Sequence, residues 1–107
     1  MNRRIINLAG EDIEFSVDDR GLNYGDGVFE TLLVHRGKPV WWSEHWQRLL
    51  IGAKALSLPE PNEALVQNAC EQLIETMPAC VLKIVLTRGS GGRGYVMPKA
   101  MSPRIII

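Results

Sequence analysis

Three groups of residues have the types and spacing to do chemistry. His45 and Arg48 stand three apart in Ser43-Glu44-His45-Trp46-Gln47-Arg48. On a helix that spacing puts both side chains on one face, and an arginine fork can hold a phosphate through two parallel hydrogen bonds. The same arginine follows Glu44 by four residues, which equally suits a surface ion pair worth about 0.3–0.5 kcal/mol. Tyr24 lies in Tyr24-Gly25-Asp26-Gly27, where glycines allow close backbone approach and a phenol can donate to a ligand carboxylate. A plain turn accounts for the same residues. Arg88 to Tyr95 joins Arg88, Arg93 and Tyr95 with four glycines, a composition that can bring guanidinium groups and main-chain amides to an anion or form a simple hairpin tip. It has no Lys-Ser/Thr ending and opens no helical pattern, which excludes a nucleotide-binding phosphate loop.

These residues need elements to position them. Arg3 to Leu8 and Ile13 to Val17 read as a hairpin around Ala9-Gly10-Glu11-Asp12, and Asp18 to Gly27 as an irregular loop. Val28 to His35 is rich in β-formers and turns through Arg36-Gly37-Lys38-Pro39 into a second strand at Val40-Trp41-Trp42. From Ser43 as N-cap, Trp46, Leu49, Leu50, Ala53 and Leu56 recur at helical spacing. Asn62 caps a second helix with Leu65, Val66, Ala69, Cys70, Leu73 and Ile74 on one stripe, running to Pro78. Val81 to Thr87 and the terminal Ile run are strands. The order ββββααββ predicts an α+β fold, a two-layer sandwich of a mostly antiparallel sheet covered by two helices.

Bulk properties narrow the function classes. The 107 residues carry twelve basic and twelve acidic side chains with no run of like charge, so neither a nucleic-acid footprint nor a membrane-surface patch is expected. No apolar stretch approaches the roughly 20 residues of a bilayer span. Cys70 and Cys80 fit no metal-ligand spacing, and the expectation is a reduced, cytoplasmic protein without a metal. The β-branched end Ile105-Ile106-Ile107 has no polar tail, which predicts a natural protein that continues beyond it.

Three segments occur together and in order: DRGLNYGDGVFETLLVHRGKPV from Asp19, HWQRL from His45, and VLKIVLTRGSGGRGY from Val81. As a set they resemble class IV aminotransferase-type enzymes, the fold-type IV pyridoxal-phosphate family, over nearly all of residues 5–107. The last segment is similar to the aminodeoxychorismate lyases of that family. The resemblance implies pyridoxal 5'-phosphate between two domains, a small anionic substrate and a homodimer. It gives Arg48 the cofactor phosphate and places Arg93, Tyr95 and Tyr24 near the substrate carboxylates, with Arg88 structural. Residues 1–107 would be the N-terminal domain. The catalytic lysine and the glutamate that meets the pyridine nitrogen would lie in a C-terminal domain beyond residue 107, so Lys38, Lys54, Lys83 and Lys99 inherit no role and the chain alone would be inactive. A transaminase acting on D-amino acids or branched-chain substrates shares these features, and a noncatalytic anion-binding or dimerisation module is the alternative of a different class.

Overall fold

The computed structural model describes residues 3–94, 96 and 100–107. Its elements are β1 (Ile5–Ile6), α1 (Arg20–Tyr24), β2 (Gly27–His35), β3 (Lys38–Pro39), α2 (Trp42–Ala55), α3 (Glu63–Ile74), β4 (Cys80–Thr87) and β5 (Arg104–Ile106). Among the described residues the strands form a five-stranded sheet in the order β1-β5-β4-β2-β3, with every neighbouring pair antiparallel. The expected α+β architecture is the observed one.

Alternation along β2 decides what the sheet buries. Glu30, Leu32 and Val34 point to the helix-covered face, opposite Leu82 and Ile84 of β4, while Phe29 and Leu33 project from the other. Trp46, Leu49 and Ala53 of α2 and Val66, Ala69, Cys70 and Ile74 of α3 complete the core with Leu86 and Ile105. Each helix thus contributes one apolar stripe, as its 3.6-residue periodicity requires. Burial pushes the Cys70 thiol up to about 12, with Glu71 adding to the effect, so this cysteine is core rather than reactive.

Local details depart from the sequence expectations for identifiable reasons. The Asp18–Gly27 segment is not irregular throughout, because the Asp19 side chain accepts from the amides of Gly21 and Leu22 and caps a short helix that Gly25 closes at φ 64°. Val40-Trp41-Trp42 is not a strand. The Val40 amide makes a hydrogen bond to the Leu33 carbonyl (2.7 Å), and Trp41 then adopts φ 57° and turns the chain into α2, so Trp41 replaces Ser43 as the N-cap. Asn62 does cap α3 through its side chain, but that helix ends at Ile74 rather than running to Pro78. The first hairpin reduces to the two residues of β1 and an isolated bridge between Ile6 and Asp12.

Candidate functional site

Helical spacing brings His45 and Arg48 to one face of α2, as expected, but their partner is Glu30 of β2 and not Glu44. Glu30 Oε1 accepts from Arg48 Nη2 (2.6 Å) and Nε (3.0 Å), and Oε2 accepts from Nε (2.8 Å). The Nδ1 of His45 lies 2.7 Å from the same Oε1. The hydrogen bonds from Arg48 hold the Glu30 carboxyl below its usual range, against burial and with help from His45. Although its partner is buried, the Arg48 side chain is 70% exposed, and Nη1 has no hydrogen-bond partner among the described residues. This is a fixed guanidinium with an open edge.

Tyr24 and Arg93 come together elsewhere. They line a pocket of about 440 Å³ with Asp18, Asn23, Ser90, Gly91 and Gly92. Both side chains are exposed, and Arg48 is not among the lining residues. Tyr95 lies outside the described residues.

The pocket walls are held by buried charges, of which sequence reasoning had set aside Arg88 as structural but had given no role to Arg20, Asp26 or Asp19. Asp26 Oδ2 accepts from Arg20 Nε (2.7 Å) and Arg88 Nε (2.9 Å), two arginines that are almost fully buried. Arg20 then donates to the carbonyls of Gly91 (3.2 Å), Gly94 (2.7 Å) and Val96 (3.3 Å), and its guanidinium carbon lies 5.0 Å from the centre of the Tyr24 ring. One side chain therefore ties the tyrosine wall to the glycine-rich wall. Arg88 donates to the Leu56 carbonyl (2.6 Å), which makes it a structural cation and takes it out of the pocket. Burial works to raise the Asp26 pKa, but hydrogen bonds from Arg88 and Arg20 outweigh it and hold the carboxyl below its ordinary value.

A second buried carboxylate supports the same walls. Asp19 accepts from Thr87 Oγ1 (2.8 Å) and Arg104 Nη1 (3.0 Å), and Arg104 also donates to Ser90 Oγ (2.9 Å). Gly89 bends at φ 87° there, with the Ser102 carbonyl so close that an added Cβ would meet it at 1.9 Å. The signal available in the sequence was a charged residue at an inward strand position for Glu30. Asp19, Arg20 and Asp26 carried no spacing rule, because Arg20 and Asp26 are six residues apart across a turn and their other cross-loop partners, like those of Asp19, are 62 to 85 residues away. Among the described residues no group of three or more His, Cys, Asp or Glu could hold a metal, and no helix is long and apolar enough to cross a membrane.

The comparisons with known proteins agree in kind. A family model described as amino-transferase class IV matches residues 27–107. A putative branched-chain-amino-acid aminotransferase from Methanocaldococcus jannaschii is 35% identical over 98 residues, covering 89% of this chain and 34% of that protein. The crystal structure of 4-amino-4-deoxychorismate lyase from Pseudomonas aeruginosa superposes with a TM-score of 0.79 at 38% identity, covering 97% of this chain and 37% of that one. A hypothetical aminotransferase from Mycobacterium tuberculosis, in a form with pyridoxal phosphate bound, gives a TM-score of 0.74 at 29% identity over 98% of this chain and 39% of that one. The chain thus spans roughly a third of the length of the relatives it matches.

Proposed function

This chain belongs to the class IV aminotransferase family, and from that premise we propose that it is the N-terminal domain of a pyridoxal 5'-phosphate-dependent lyase. The enzyme removes pyruvate from 4-amino-4-deoxychorismate and releases 4-aminobenzoate for folate synthesis. The observation that carries the reading is the Arg48 guanidinium, tied down through Nε and Nη2 while Nη1 stays open to solvent. An ester phosphate fits that open edge, because it accepts charge-assisted hydrogen bonds from a planar fork.

When bound, the cofactor supplies an electron sink that lets the C–H bond beside the substrate amine break. The residues of this chain bind and orient. Arg48 holds the phosphate and takes no part in bond breaking. Arg93 and Tyr24, facing one pocket, take the carboxylates of a doubly anionic substrate, with Tyr95 assigned to the same task. The lysine that carries the cofactor and the acid that meets its ring nitrogen belong to a second domain beyond residue 107. The complete enzyme works as a cytoplasmic homodimer.

The glycine-rich segment Arg88–Tyr95 and the 38% identity to the Pseudomonas lyase support elimination over amino transfer. A transaminase is the second reading, favoured by the 35% identity to the Methanocaldococcus protein. Incubating the full-length protein with 4-amino-4-deoxychorismate, and separately with D-alanine or leucine and 2-oxoglutarate, distinguishes them. Pyruvate and 4-aminobenzoate in equal amounts are expected from the first mixture. Glutamate from the second with no 4-aminobenzoate from the first would overturn the lyase reading.

A further inference from the structure

Glu30 occupies a position where strand alternation calls for an apolar side chain. It shares the core-facing row of β2 with Leu32 and Val34 and is 6% exposed. A buried carboxylate is expensive unless paired, and among the described residues every hydrogen bond of the Glu30 side chain goes to α2, to Arg48 and His45. None secures another strand or a loop. A helix-surface arginine left alone samples many rotamers, whereas here two of its three nitrogens are fastened to one plane. What that fastening leaves is Nη1, directed away from the carboxylate and free to meet a ligand.

We infer that Glu30 is the positioning residue of the phosphate site, its buried carboxylate setting the Arg48 guanidinium so that the open edge meets a phosphate ester. The inference rests on the reading of Arg48 as the phosphate anchor. It makes a prediction opposite in sign to simple charge counting. A carboxylate beside the guanidinium lowers the positive potential that a phosphate feels, so charge alone says that neutralising Glu30 tightens phosphate binding. Positioning says the reverse, because Gln retains one acceptor oxygen and turns an amide NH2 donor toward the donors of Arg48, releasing the fork.

The test is equilibrium binding of pyridoxal phosphate and of pyridoxal, which lacks the phosphate, to the full-length protein, followed by cofactor absorbance. Glu30→Gln should raise the Kd for pyridoxal phosphate by about tenfold and leave that for pyridoxal unchanged. In an Arg48→Ala background the same substitution should add nothing, since there is no fork left to aim. Unchanged or tighter binding of pyridoxal phosphate to Glu30→Gln would overturn the proposal while leaving the Arg48 reading intact. Loss of both ligands together would make Glu30 a folding residue and also overturn it. Normal pyridoxal phosphate affinity in Arg48→Ala would overturn the phosphate reading itself, and the role of Glu30 with it.

Discussion

At the scale of single residues the site divides into groups that face solvent and groups that hold them. His45 and Arg48 were legible because helical spacing alone puts them on one face. Their partner was not legible, since Glu30 is 18 residues from Arg48 in sequence and only strand–helix packing brings them together. Spacing favoured Glu44, the local acid. The buried acid instead meets Arg48 with both oxygens and is shielded from water, where a hydrogen-bonded pair is stronger than an exposed one. Arg93 is the mirror case, an exposed cation beside Tyr24 in one pocket, whose proposed role is to take a substrate carboxylate. Arg93→Ala should lower kcat/KM for the anionic substrate by about 10- to 100-fold while leaving cofactor affinity unchanged. Steady-state kinetics alongside a cofactor titration checks this, and unaltered kinetics would remove Arg93 from the substrate site.

At the scale of elements, α1 and the glycine-rich segment act as one unit. Turn chemistry was legible in both, but only the family resemblance put Tyr24 near Arg93; residue patterns did not join them, because the buried charges that do so reach across long separations, Asp26 to Arg88 and Asp19 to Arg104, with Arg20 beside Asp26. Removing the acid from such a pair leaves cations uncompensated out of water, and Asp26→Asn should cost on the order of 3 kcal/mol. The pH dependence has a definite sign. Because the folded-state pKa of Asp26 is depressed, its contribution is complete above the ordinary value of 3.8 and is lost as pH falls through the lower, folded value. Urea midpoints of the full-length protein and the variant should therefore differ most at neutral pH and converge in strong acid. Equal midpoints at neutral pH would contradict the assignment. The strand, helix and cap positions nearer the core were easier to read: β2, β4 and the Asn62 cap follow from alternation and side-chain chemistry. Where α2 begins did not, since Trp41 takes a left-handed conformation that no propensity favours for tryptophan.

At the scale of the whole molecule the sheet has one covered and one open face. Phe29 and Leu33 of β2 and Val81 of β4 are exposed on the side away from α2 and α3, where α1 covers only the end at Thr87. The antiparallel α+β architecture was legible because binary patterns alone separate two amphipathic helices from strands of alternating or continuous apolar character. The coupling of the pocket walls was beyond those patterns, which describe what faces inward and not which buried charges meet. Assignment of the chain to one domain of a larger cofactor enzyme draws on family membership and on the open edge of Arg48. Its most direct test is the intact mass and visible absorption spectrum of the natural protein, recovered from its source cells with an antibody against this chain. A protein roughly twice to three times this length, yellow and bleached by borohydride, is the predicted result. A colourless protein of 107 residues would contradict the account and leave a noncatalytic module in its place.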